Sequence, residues 1–107
     1  MDTTIYGLTN CDTCRKARKA LPHATFRDIR ADPLDAAGRG AFLHAFGDKL
    51  VNRASTTWRN LSEAERAQTP DDLLAVHPAL MKRPVIRSGD ALHLGWGTDV
   101  RRALGVE

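Results

Sequence analysis

The stretch Thr3-Thr4-Ile5-Tyr6-Gly7-Leu8-Thr9-Asn10-Cys11-Asp12-Thr13-Cys14-Arg15-Lys16-Ala17-Arg18 decides how the rest of the chain is read. Residues 3–7 are β-branched and aromatic and end in Gly, the composition of a short strand. From Cys11 to Leu21 the period changes, with Cys14, Ala17, Arg18 and Leu21 spaced as one helical face. The two cysteines, which are the only ones in the chain, therefore fall at a strand-to-helix junction. Such a junction offers free backbone N–H groups and the positive end of a helix dipole, which favour a thiolate over a thiol. Chemistry at sulfur is the resulting expectation.

Working outward, the first helix spans 11–20 and stops before Pro22. Ala24 to Ile29, with Phe26 and Ile29, reads as a second strand. Asp32-Pro33 is expected to open a helix, with Asp32 as N-cap and Pro33 at the first helical position. That helix carries Leu34, Phe42, Leu43 and Phe46 and ends at Gly47, with Gly38 and Gly40 weakening its middle by about 1 kcal/mol each relative to Ala. Ser55 to Leu61 reads as a helical turn, and Ser62-Glu63-Ala64-Glu65 as a capping box. Thr69-Pro70-Asp71-Asp72 opens a helix with Leu73, Leu74 and Val76 on its apolar face, closing at His77-Pro78. Pro84 to Arg87 and Ala91 to Leu94 are strands joined by the tight turn Ser88-Gly89-Asp90. Gly97-Thr98-Asp99 caps a last helix with Val100 and Leu104.

A β-α-β unit followed by helices, a β-hairpin and a helix is a small α/β layer structure. The first two strands should be parallel with a right-handed crossover and the last two antiparallel. The expected fold class is α/β, thioredoxin/glutaredoxin-like. A helical insertion, roughly residues 33–78, separates the β-α-β half from the C-terminal β-hairpin-α half of a single domain spanning 1–107.

The chain has 107 residues, 42% hydrophobic and 27% charged, the balance of an ordinary soluble protein. No apolar run approaches the roughly 20 residues that cross a bilayer, so no membrane partner is expected. No basic start followed by an apolar stretch opens the chain, so no export signal and a cytoplasmic location are expected. In that setting two cysteines three apart point to catalysis or metal binding rather than to a disulfide framework. The net charge of +3 is spread as sixteen Lys and Arg among thirteen acids. That reads as a solvated surface and makes nucleic acid an unexpected partner. The local run Arg15-Lys16-Ala17-Arg18-Lys19 raises the positive potential beside the cysteines and could attract an anionic substrate. Zinc would need two further ligands. His23, His44, His77 and His93 form no H-x₃₋₅-H pair, so no metal is expected.

Thr9-Asn10-Cys11-Asp12-Thr13-Cys14-Arg15-Lys16-Ala17-Arg18 resembles the arsenate reductase (ArsC) family, in particular its Spx and YffB branches. Arg53-Ala54-Ser55-Thr56-Thr57-Trp58-Arg59 and His77-Pro78-Ala79-Leu80-Met81-Lys82-Arg83-Pro84-Val85-Ile86 are similar to two further motifs of that family. The three in order span essentially the whole chain, and the YffB branch is the closest. The resemblance implies that Cys11 is the nucleophile and that Arg83 and Arg59 match two oxyanion-binding arginines of the true arsenate reductases. Those enzymes use a third arginine after the last strand, where this chain reads Leu94-Gly95-Trp96-Gly97-Thr98. The departure leaves glutathione-dependent thiol chemistry as the implied activity. Glutathione is then a co-substrate, no cofactor is tightly bound, and the partners are a small thiol or oxyanion. The Spx branch binds RNA polymerase and carries a C-x-x-C redox switch. The alternative is therefore a non-catalytic regulator whose Cys11–Cys14 disulfide controls binding to a protein.

A free thiol with a pKa of about 8.5 needs activation at neutral pH. The helix N-terminus, Arg15 with its basic neighbours, and Arg83 if the fold brings it close are the available sources, and Asp12 opposes them. Cys14 either resolves a mixed disulfide on Cys11 or only fills space under the helix. Arg83-Pro84 is expected to be a cis peptide facing the cysteine, as the fold resemblance implies, with the guanidinium fork of Arg83 presented to a bound anion. Arg59, with Arg53 beside it, is the candidate for a second anion contact. Thr9, Asn10 and Thr13 shape the Cys11 loop. Trp58 and Trp96 either pack on the core or wall the site.

Overall fold

The computed structural model describes residues 2–106. In chain order the elements are β1 (Thr3–Gly7), α1 (Asp12–Ala20), β2 (Thr25–Asp28), α2 (Ala36–Phe46), α3 (Thr56–Arg59), α4 (Glu63–Arg66), α5 (Pro70–Val76), β3 (Val85–Ser88), β4 (Ala91–Leu94) and α6 (Thr98–Ala103). Short 3₁₀ turns occupy Gly47–Leu50 and Pro78–Leu80. The chain divides into two compact units, one made of residues 1–28 and 83–107, the other of residues 29–82.

The first unit is built on a four-stranded sheet ordered β2-β1-β3-β4. β1 pairs with β2 in parallel, Ile5 opposite Phe26, and with β3 antiparallel, Tyr6 opposite Val85. β3 and β4 form an antiparallel hairpin. Its two-residue turn is Gly89-Asp90, and Gly89 has φ near 59°, a conformation that glycine adopts without steric cost. Ile5 of β1, Ala17 of α1, Ile86 of β3 and Val100 of α6 form a buried cluster. Leu21, Ala24, Phe26, Trp96 and Leu104 cover it, so Trp96 packs against the core rather than standing clear of it. The apolar stripe of α1 is narrow, Cys14 and Ala17 being its buried residues. Every other helical residue from Asp12 to Lys19 is exposed.

The second unit carries Ile29, Phe42, Leu50, Val51, Leu61, Leu73, Leu74, Leu80 and Met81 as buried residues. Its ends are closed by backbone bonds, Asn52 N–H to the Leu80 carbonyl at 2.8 Å and Lys82 N–H to the Leu50 carbonyl at 2.7 Å. Arg39 ties α2 to α5, donating from Nε to Asp71 at 2.9 Å. The capping box at Ser62 and Glu65 is present in both directions, and Thr69 caps α5 ahead of Pro70. One start differs from expectation. α2 begins at Ala36 with Asp35 as N-cap, not at Pro33 with Asp32. The Asp35 carboxylate accepts from the Gly38 N–H at 2.7 Å. The Leu34 carbonyl is meanwhile taken by the Arg39 guanidinium at 3.1 Å. Two aspartates three apart offer equivalent local signals, and the side-chain bond that takes the Leu34 carbonyl goes with the later one.

Candidate active site at the first helix

β1 delivers the chain through buried Gly7 and Leu8 to an exposed turn at Thr9-Asn10. Cys11 follows as the N-cap of α1, in extended conformation. Its N–H donates to the Leu8 carbonyl at 3.3 Å, and its carbonyl accepts from the Arg15 N–H at 3.0 Å. An N-cap side chain normally takes one of the unpaired N–H groups of the first turn. Cys11 makes no regular capping bond. Its sulfur nonetheless lies close enough to the Cys14 N–H for that dipole to favour the charged form.

Antiparallel pairing of β1 with β3 ends at Tyr6 and Val85. The residues just before β3, Arg83 and Pro84, thus come alongside the end of β1 that leads to Cys11. The Arg83–Pro84 peptide is cis, and Pro84 is fully buried. The Arg83 guanidinium reaches the Cys11 sulfur. Partial burial works against a thiolate at Cys11. It is overcome by the Cys14 N–H and thiol, and by the hydrogen bond and positive charge of Arg83, so the Cys11 pKa is held below its ordinary value of 9.0.

Cys14 stands in the opposite condition. It is 0% exposed. Its Sγ occupies the space that a side chain on Gly7 would need, and Phe26 closes the same corner. Burial raises its pKa, the Leu8 N–H pulls the other way, and the adjoining Cys11 sulfur raises it further, to about 12. Two thiols one turn apart are thereby driven apart in acidity, one toward the anion and the other toward a proton donor facing it.

The Cys14 shift is also a statement about stability. Unfolded, the thiol titrates near 9.0, while the fold holds its proton to about 12. The folded state is therefore favoured fully below pH 9 and loses that advantage as pH rises toward 12. Cys11 is shifted in the opposite direction; in a Cys14→Ala protein it keeps the residue-14 N–H and Arg83 and loses only the thiol of Cys14, so most of its own contribution cancels in the comparison. Urea midpoints under reducing conditions are expected to show the wild type losing about 1 kcal/mol more than Cys14→Ala between about pH 8 and about pH 10.

The structure thus brings Cys11, Cys14, Arg83 and Pro84 together within the first unit. Asn10 and Thr13 flank Cys11 and are exposed. Arg15 is committed elsewhere, its Nη1 donating to Asp12 at 2.7 Å and its Nε to the Thr9 carbonyl at 3.4 Å. Arg53 and Arg59 belong to the second unit. Arg59 donates to the Ala54 carbonyl at 3.0 Å and the Thr56 hydroxyl at 3.2 Å. Arg53 pairs with Asp48 at 3.7 Å. Trp58 is half-buried, with Arg53 and Arg66 at 5.2 and 5.6 Å from its ring. Among the described residues no cluster of three or more His, Cys, Asp or Glu side chains could hold a metal ion. Gly7 was not anticipated as part of the site. The available signal was a glycine at the end of a strand that a helix must cross closely.

A four-stranded mixed sheet with a cysteine at the start of the first helix and a cis-proline at the start of β3 is a thioredoxin-like α/β fold. The chain belongs to the ArsC family, whose model matches residues 6–104. It is similar to an uncharacterized protein of Haemophilus influenzae, 42% identical over 99 residues, which cover 83% of this chain and 87% of that one. It superposes on the solved structure of the YFFB protein with a TM-score of 0.85 and 31% identity, covering 94% of this chain and 96% of that one. It is also similar to the global transcriptional regulator Spx of Bacillus subtilis, 28% identical over 112 residues, covering 94% of this chain and 86% of that one. No helix among the described residues is long and apolar enough to cross a membrane.

Proposed function

We propose that this protein is a thiol-dependent oxidoreductase with Cys11 as the attacking thiolate and glutathione as co-substrate. The observation that carries the reading is the approach of Arg83 to the Cys11 sulfur above a buried, protonated Cys14. Cys11 attacks one sulfur of a disulfide. The new bond is Cys11–S, the substrate S–S bond breaks, and the departing thiolate takes a proton from solvent or meets the Arg83 charge first. A glutathione thiolate then attacks the substrate sulfur held on Cys11. That restores the Cys11 thiolate and leaves the substrate as its glutathione mixed disulfide. Cys14 is a poor second attacker in this scheme because its burial opposes ionisation of the thiol. Its role is to donate to the Cys11 sulfur. Arsenate is not proposed as substrate, since no arginine lies in Leu94-Gly95-Trp96-Gly97-Thr98.

The likeness to Spx over nearly the whole chain favours a second reading, a regulator switched by a Cys11–Cys14 disulfide. Mass spectrometry of the native protein after mixing with oxidised glutathione separates the two. The oxidoreductase reading expects one glutathionyl group on Cys11, none in Cys11→Ser, and turnover of a model disulfide retained in Cys14→Ser. An internal disulfide with no turnover would reject it in favour of the switch.

A further inference from the structure

α1 presents one stripe that the scheme above leaves unused. Cys11, Arg15, Arg18 and Lys19 are spaced i, i+4, i+7 and i+8, so they follow one another along a single side of the helix. This side borders the buried Cys14–Ala17 stripe and faces the edge strand β2. Arg15, Arg18 and Lys19, with Leu21, Pro22, Ala24 and Phe26, line an open groove of about 700 Å³. Its floor is apolar and its wall cationic. The Arg18 guanidinium lies over the Phe26 ring, 4.1 Å from its centroid, which holds the fork flat against the groove. Asp12, beside the stripe, is paired with Arg15 at 2.7 Å. Among the described residues neither Arg18 nor Lys19 is in an ion pair.

We propose that this groove docks an acidic polypeptide segment whose cysteine sulfur is presented to Cys11, so that the substrate class is a protein disulfide flanked by carboxylates. The inference rests on Cys11 being the attacking thiolate. The geometry sets the spacing. Seven residues of helix separate Cys11 from Arg18, about 10 Å. An extended peptide covers that length in about three residues. Acidic side chains three and four positions from the substrate cysteine therefore fall opposite Arg18 and Lys19. A planar guanidinium fixed on an aromatic ring suits a carboxylate, which it can bind through two parallel hydrogen bonds. Nucleic acid fits the groove less well, because the one aromatic ring is covered by Arg18 and so is closed to base stacking. It also brings no sulfur to Cys11.

The test uses the full chain and two short peptides, Cys-Ala-Ala-Glu-Glu and Cys-Ala-Ala-Gln-Gln, each amidated at its C-terminus and carried as its thiopyridyl disulfide. Attack by Cys11 forms the Cys11–peptide disulfide and releases one pyridine-2-thione, read by absorbance. The acidic peptide is expected to react about three- to tenfold faster at low ionic strength, the gain of two partly solvated charge pairs. The advantage should vanish at about 0.5 M salt. Arg18→Gln/Lys19→Gln should abolish it while leaving the rate with the neutral peptide and with hydroxyethyl disulfide unchanged. Equal rates for the two peptides in the wild type, with Cys11 still captured by hydroxyethyl disulfide, would overturn the docking site and leave the thiol reading standing. The same result with a DNA oligonucleotide bound at low salt and lost in the double variant would overturn it in favour of nucleic acid. No reaction of Cys11 with any disulfide would overturn the thiol reading and the docking site together.

Discussion

Replacing Arg83 with alanine is expected to slow capture of a disulfide by Cys11 at neutral pH by about one to two orders of magnitude. The guanidinium supplies both a hydrogen bond and a positive charge to the sulfur. A hydrogen bond involving a charged group contributes about 1.5–3 kcal/mol. Half-exposure of Cys11 to solvent holds the effect toward the lower end of that range. Arg83→Lys keeps the charge but loses the planar fork, so it should fall between the wild type and the alanine variant. The readout is the single-turnover rate with oxidised glutathione, followed at several pH values. The loss should shrink as pH rises, because at alkaline pH Cys11 ionises without help. A loss that is uniform across pH would mean that Arg83 serves substrate binding and not the ionisation of the thiol.

The largest expected effect on stability lies at Gly7. A Cβ at this position would collide with Cys14 Sγ and stand 3.3 Å from Cys14 Cβ and 3.5 Å from Phe26 Cε1. Neither neighbour can move freely. Cys14 sits on the buried face of α1, and Phe26 is fixed in β2 beneath Arg18. Gly7→Ala is expected to cost about 2–3 kcal/mol by overpacking. The collision identifies its own remedy. Gly7→Ala/Cys14→Ala removes the sulfur in the way. The double variant should be more stable than the sum of the two single losses allows by about 1–2 kcal/mol, a coupling expected only of groups in contact. Urea unfolding of the four proteins measures it. Additive losses would show that Cys14 is not held against the strand as described.

These two residues also mark what could be read from the chain alone. Local signals sufficed where one element decides its own form. The β-branched run before Gly7, the change of period at Cys11, the Ser62–Glu65 capping box and the Gly89-Asp90 turn each carry their physics within a few residues. α2 was placed three residues early at its N-cap because Asp32 and Asp35 look alike until Arg39 reaches back to the Leu34 carbonyl. The acidity of Cys11 depends on a residue 72 positions away, and no local pattern links Arg83 to it. The family motifs supplied that pairing as an expectation, and the register of β1 against β3 gives it a physical cause. Arg15 is close to the cysteine loop in sequence and bonds the Thr9 carbonyl of that loop, and its guanidinium also pairs with Asp12. The role of Gly7 was hidden because a glycine reads as a strand end. Only the crossing of α1 over β1 reveals it as the space that Cys14 fills.

The central claim is that Cys11 is an acidic thiol because Arg83 and Cys14 act on its sulfur. Its most direct test is the rate of iodoacetamide alkylation at Cys11, resolved by mass spectrometry and measured as a function of pH. A midpoint clearly below the roughly 8.5 of a free thiol, moving upward in Arg83→Ala, is the predicted result. A midpoint at or above about 8.5 in the wild type, unmoved by the loss of Arg83, would contradict it.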